Sequence, residues 1–231
     1  MLAKWSVIVA VVVGCTGSKG AQDGGADAGA CVDKNPDGAC YPTANQGFTS
    51  RMGTISGSRI PNLDFQGYLN LDPKTKTAAT SLVTIRLSDF YDPGAKKYRV
   101  IRILTSSSWC GPCRMETAFV SMSGGLAETI EPQGVVFLQA LLDGVSAGTA
   151  AKAADLNDWI STTMPNITEM LDPGAEKLGV FGSRTLLPFS ITIDARSMEI
   201  LAKDTGYTDG QKLQDDVQSW LSWTMTNPPQ P

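Results

Sequence analysis

The chain of 231 residues contains no histidine. That excludes serine–histidine and cysteine–histidine nucleophile pairs, and every metal site built on imidazole. Any general acid or base must be a carboxylate, a thiol, a lysine, a tyrosine or water. Charge is sparse as well. Charged residues are 18% of the chain, the net charge is −4, and like charges nowhere run to five. A nucleic-acid surface needs a basic stripe, so no nucleic-acid partner is expected. No internal repeat is visible. What is present is 42% hydrophobic residues, enough for one domain with a sizeable core plus tails, or for two small ones. There are also five cysteines, at 15, 31, 40, 110 and 113, an odd count that leaves one needing its own explanation.

The N-terminus accounts for that one. Met1 to Lys4 carries a positive charge and Trp5 to Val13 is almost wholly apolar. The run is far shorter than the roughly 20 residues of a spanning helix, and small residues follow it. This is the pattern of a secretory signal peptide over residues 1–14. Val12-Val13-Gly14-Cys15 resembles the bacterial lipobox, which implies a lipid on Cys15 and an exported protein anchored at the periplasmic face of a bacterial membrane. The alternative is an ordinary signal peptide with a chance cysteine. Thr16 stands where an Asp would favour the inner membrane, so the outer membrane is favoured. Residues 16–30 hold no large apolar side chain and read as a flexible tether, part of a linker spanning 15–45. Cys31 and Cys40 bracket a loop with the turn residues Pro36 and Gly38. In an oxidising compartment they are expected to pair as a structural disulfide, ahead of a metal site, which would lack accompanying ligands. No metal and no cofactor is expected.

From residue 46 to 226 the composition is globular, and 227–231 is a tail. Short strand pieces are expected within Ile60–Leu71, and strands at Leu82–Leu87, Tyr98–Thr105, Gly134–Leu142, Ile167–Leu171, Phe189–Ile193 and Glu199–Asp204. Helices are expected from Cys110 to about Ile130, with Met115, Ala118, Phe119, Met122 and Leu126 inward and a break at Gly124-Gly125. Others follow at Ala150–Thr163, at Asp172–Leu178, and at Asp209–Trp223 with Leu213, Val217, Trp220 and Leu221 inward. Alternating strands and helices predict an α/β fold around one mixed central sheet flanked by helices on both faces.

The chemistry lies in Trp109-Cys110-Gly111-Pro112-Cys113. Two cysteines at this spacing can close a small disulfide ring and open it again. The motif falls between a strand and a helix, so Cys110 stands at a helix N-terminus. There the backbone N–H groups and the helix dipole favour an anion and lower a thiol pKa from about 8.5 to roughly 3.5–7.5. Cys110 is the expected nucleophile, exposed at the loop edge. Cys113, one turn further in, is the expected resolving thiol. Pro112 sets φ where its missing N–H costs little.

The pentapeptide followed by Arg114 and Glu116 resembles the thioredoxin fold, and more closely the membrane-tethered TlpA/ResA-like thiol-disulfide oxidoreductases. The similarity runs from about Ile60 to Trp223. It includes Leu87-Ser88-Asp89-Phe90-Tyr91 before the active-site strand and Leu187-Pro188-Phe189 opening a later one. The resemblance implies a cis proline at Pro188 facing the dithiol, with Leu187 offering backbone groups to an extended substrate segment. It also implies disulfide-bearing protein substrates and a membrane-bound electron donor. Two positions depart from it. Leu104 replaces the buried Asp of thioredoxins, and Gln139 is the nearest match to their Lys. Proton transfer at Cys113 must then use water or another carboxylate. Glu116 is the nearest candidate, against the alternative of a solvated first-turn residue. Arg102, inside an apparently buried strand, has either an acidic partner or a snorkelling head. Trp159, Trp220 and Trp223 read as core or surface-cap residues.

Three other readings compete. Zinc would need two further ligands near the dithiol. A peroxiredoxin would place Pro and Thr before a lone cysteine. A lipoprotein binding module could keep the fold and lose turnover, which the absent Asp and Lys would fit.

Overall fold

The computed structural model describes residues 31, 33–42, 54–69, 81–207 and 209–229. The expected signal peptide, Cys15 and the tether through residue 30 lie outside them. The chain divides into two compact units, Met1–Ala30 and Cys31–Pro231, and the second carries everything below.

Seven strands form one mixed sheet: β1 Asp64–Tyr68, β2 Val83–Arg86, β3 Val100–Ser107, β4 Val135–Asp143, β5 Thr168–Leu171, β6 Phe189–Asp194 and β7 Glu199–Thr205. Their spatial order is β2-β1-β5-β4-β3-β6-β7. β3, β4 and β5 are parallel, and the remaining pairs are antiparallel. Every residue of β3 and β4 is buried, as parallel strands covered on both faces require. Four α-helices join them: α1 Gly111–Ser121, α2 Leu126–Ile130, α3 Ala153–Thr163 and α4 Gly210–Thr226.

Strand alternation sorts the core. Val100, Leu104, Val135 and Phe137 pack with Val120, Leu126, Ile130, Leu213, Val217 and Leu221 of α1, α2 and α4. Ile101, Ile103, Val136, Leu138 and Leu142 point the other way. They meet Leu87 and Phe90 of a 3-10 turn, and Leu178 and Phe181 of the segment after β5. A third cluster joins Leu156 and Trp159 of α3 to Tyr68, Leu141 and both cysteines of the motif.

The helix break falls where the glycines predict it. Gly124 has φ +76°, and a Cβ on Gly125 would stand 2.8 Å from the Val120 carbonyl oxygen. The expected inner face of α1 is wrong. Met115 and Met122 are 57% and 53% exposed. The buried residues are Cys113, Glu116, Thr117, Val120 and Ser121. The period is helical, but the core side also carries the polar Glu116, Thr117 and Ser121, so hydrophobicity no longer marks it; of the expected residues, Phe119 packs against the core and Leu126 is buried.

Cys31 and Cys40 are disulfide-bonded, with Cα atoms 5.7 Å apart. Their loop is docked on the domain. Asn35 donates to the Tyr91 carbonyl at 2.8 Å, and the buried Tyr41 donates to the Ile60 carbonyl at 2.9 Å. The compact unit therefore starts at Cys31, ahead of the boundary at 46 read from composition.

Candidate active site

β3 ends at Ser107, two residues turn, and Cys110 caps α1. Its Sγ accepts the backbone N–H of Cys113 at 3.2 Å. Gly111 and Pro112 form the first turn. Cys110 and Cys113 are joined as a disulfide, with Cα atoms 5.3 Å apart. The expectation that Cys110 is exposed is corrected: it is 2% exposed and Cys113 0%. Both sulfurs sit in the apolar cluster with Leu141, Leu156 and Trp159, and Leu187 packs against it. Trp109, 40% exposed, stands beside them.

The Leu187–Pro188 peptide is cis. Thr105 of β3 fixes this segment by donating to the Phe189 carbonyl at 2.6 Å and accepting the Phe189 N–H at 3.0 Å. The Pro188 carbonyl accepts the Gly206 N–H at 2.7 Å. Motif, β3 and proline loop thus meet at one end of the sheet.

A buried carboxylate that sequence reasoning missed ties this end together. Asp143 closes β4. It accepts the Trp109 indole N–H at 3.4 Å, the Gly148 N–H at 3.0 Å and the Arg184 Nε–H at 2.7 Å. Arg184 belongs to the loop that leads to Pro188. The signal available in the sequence was an acidic residue ending an apolar strand run. Arg114 acts similarly on the other side. It donates to the Ser108 carbonyl at 2.8 Å and lies 5.0 Å from the Trp159 ring centroid.

No family model matches the sequence, and none of the curated proteins matches it. Solved structures do. A Chlorobium tepidum protein assigned as the thiol:disulfide interchange protein DsbE is 20% identical, covers 73% of this chain and 99% of its own, and superposes with TM-score 0.53. A Bacteroides thetaiotaomicron protein assigned as a protein disulfide isomerase is 16% identical over 71% of this chain and 88% of its own, with TM-score 0.51. The thioredoxin domain of a Bacteroides vulgatus thiol-disulfide oxidoreductase is 17% identical over 73% and 99%, with TM-score 0.50. The fold is thioredoxin-like.

Within that thioredoxin-like frame the two departures are visible. Leu104, Gln139 and Glu169 occupy one row across β3, β4 and β5. Leu104 is fully buried and apolar. Gln139 Nε2 donates to Ser106 Oγ at 2.5 Å and Thr117 Oγ1 at 2.6 Å, and Thr117 Oγ1 donates to the Cys113 carbonyl at 2.9 Å. As the sequence led us to expect, no acid–base pair stands in this row; Gln139 instead makes an uncharged relay to the backbone of Cys113. Glu169, a buried carboxylate one strand further, was not anticipated.

Glu116 is not a solvated first-turn residue. It is 3% exposed, and its Oε2 has no protein partner among the described residues. Burial pushes its carboxyl up from the ordinary 4.5 to about 7, with Arg102 opposing and Asp204 adding to the rise. It lies three residues after Cys113 on the inner face of α1, so the two side chains are neighbours one turn apart. Arg102 has the acidic partner considered for it: Nη1 donates to Asp204 Oδ2 at 2.9 Å and also to Thr192. Among the described residues no group of His, Cys, Asp or Glu could hold a metal ion, and no helix is long and apolar enough to cross a membrane.

Proposed function

We propose that this chain is a thiol-disulfide oxidoreductase that reduces disulfides in protein substrates through Cys110 and Cys113. The observation that carries the reading is the Cys110–Cys113 disulfide at the N-terminus of α1, with the Cys110 sulfur held by the Cys113 N–H. In the reduced state that N–H and the helix dipole stabilise a Cys110 thiolate. The thiolate attacks a substrate disulfide, forms a mixed disulfide and expels one substrate thiolate. Cys113, losing its proton to Glu116, then attacks the Cys110 sulfur. The second substrate thiolate leaves and the protein disulfide returns. Trp109 and Pro188 wall the cysteines, Gly111 and Pro112 shape the turn, and Leu187 offers backbone groups to an extended substrate strand.

The signal-like start and Cys15 support an exported, lipid-anchored protein on the periplasmic face of a bacterial membrane, with Thr16 favouring the outer one. An exported reductant needs electrons from a membrane partner. Cytochrome c maturation or maintenance of protein thiols fits such a role. The proteins of similar fold that carry interchange and oxidoreductase names support the same class.

Insulin reduction tests the reading. The wild-type protein is expected to precipitate the insulin B chain, and Cys110→Ala and Cys113→Ala are not. Equal rates in all three would leave only a binding module. A potential near −270 mV, typical of thioredoxin, marks a reductant, whereas one near −120 mV reverses the direction. Cys113→Ala also traps the substrate as a mixed disulfide.

A further inference from the structure

Between α1, the end of β7 and the start of α4 lies a polar cavity of about 130 Å³. Glu116, Arg102, Asp204, Tyr207, Asp209 and Lys212 line it, with Asp216 at its edge. Most of its charges are matched. Arg102 pairs with Asp204, Lys212 pairs with Asp216, and Asp209 accepts the Lys212 N–H at 2.7 Å. Two buried atoms on its wall have no protein partner among the described residues: Glu116 Oε2 and Arg102 Nε. A cavity of this size and polarity accommodates water, which would bridge a donor and an acceptor of this kind. The cavity also spans from interior to solvent. Glu116 and Arg102 are buried, whereas the side chains of Asp204 and Lys212 are 39% and 58% exposed.

We propose that this cavity is the proton outlet of Cys113, and that the Arg102–Asp204 pair is a positioning element that sets how firmly Glu116 holds its proton. The inference rests on the reading above that Glu116 takes the Cys113 proton. When Cys113 resolves the mixed disulfide, its S–H bond breaks and the proton passes to the Glu116 carboxylate. The Cys113 electron pair forms the new bond to Cys110 Sγ. The bond from Cys110 to the substrate sulfur breaks, and that pair leaves on the substrate thiolate, which is protonated from solvent. Glu116 then returns its proton through the cavity water. The charged groups that share the cavity with Glu116 are Arg102 of β3, Asp204 of β7, and Asp209, Lys212 and Asp216 at the start of α4. Asp204 raises its proton affinity and Arg102 lowers it. Burial pushes the Tyr207 hydroxyl up, and the nearby Glu116 carboxylate adds to the rise.

The test uses a disulfide dye. Cys110 releases the first equivalent of aromatic thiolate, and attack by Cys113 releases the second, so stopped flow separates the two steps. The second-phase rate is expected to inflect near pH 7 in the wild type. Asp204→Asn removes a charge that raises Glu116 and leaves Arg102 less opposed, so the inflection should move down by roughly half a pH unit or more. Lys212→Gln, at the exposed mouth, should move it up by less, and Asp204→Glu should restore the wild-type profile. A purely structural role would not give opposite shifts. If Glu116→Gln abolishes the inflection while Asp204→Asn and Lys212→Gln leave it in place, the outlet is refuted and the role of Glu116 stands. If Glu116→Gln keeps the inflection, the reading of Glu116 falls first. Should Asp204→Asn fail to fold, Lys212→Gln decides alone, an unmoved profile counting against the outlet.

Discussion

The described residues hold two disulfides, and they sit in opposite settings. Cys40 is exposed and Cys31 half-buried, on a loop whose bonds run to the domain surface through Asn35. Cys110 and Cys113 are buried, yet the Cys110 sulfur accepts a helix-terminal N–H. The first bond is reachable, and among the described residues no N–H is aimed at its sulfurs. The second is covered and has one. On the proposed function, accessibility therefore does not mark the reactive pair. What marks it is an N–H group aimed at the sulfur that must carry negative charge.

The contrast is broken most sharply by removing sulfurs. Cys110→Ala should abolish insulin reduction, while Cys31→Ser with Cys40→Ser should leave its rate within about twofold. A large activity loss in the double variant would merge the two roles. Stability should respond the other way. Opening the Cys31–Cys40 loop, with its separation of nine residues, should cost about 2–3 kcal/mol in urea unfolding, by the loop-closure relation. Thiolate absorbance should sharpen the comparison further. Reduced Cys110 should ionise below the usual 8.5 or so, in titrations at 240 nm, and Cys31 should not.

The ground around the buried pair also titrates. Glu116 and Glu131 are both raised from 4.5 to about 7, chiefly by burial. Between those values the folded chain holds protons that the unfolded chain has released, so stability falls as pH rises through the window. For Glu116 the fall is on the order of 3 kcal/mol if the shift is fully expressed. Glu116→Gln should flatten much of the slope of melting temperature between pH 5 and 8. The smallest effect should come from Asn35→Ala, about 1 kcal/mol of stability with the redox rate unchanged.

Much of this was legible in the chain. Each strand fell within a few residues of its expected place, because apolar runs bounded by Gly, Pro and Asp leave little choice. The Leu187–Pro188 peptide is cis, and Leu187 packs against the cluster that holds both cysteines. The inner face of α1 was not legible. Its apolar Met115 and Met122 point outward, and Glu116, Thr117 and Ser121 point inward, where hydrogen bonds and a cavity replace greasy contacts. The roles of Asp143 and Arg184 were hidden for a different reason. They stand 41 residues apart, and no local pattern records a long-range ion pair.

That ion pair has a consequence for how the protein is made. Trp109, Gly148 and Arg184 converge on one carboxylate, and the last arrives well after the others as the chain emerges from its N-terminus. Cys110 and Cys113 are synthesised while Arg184 and the proline loop still lag behind. A newborn chain thus carries bare thiols at first, and gains the walls around them only when its final third has folded.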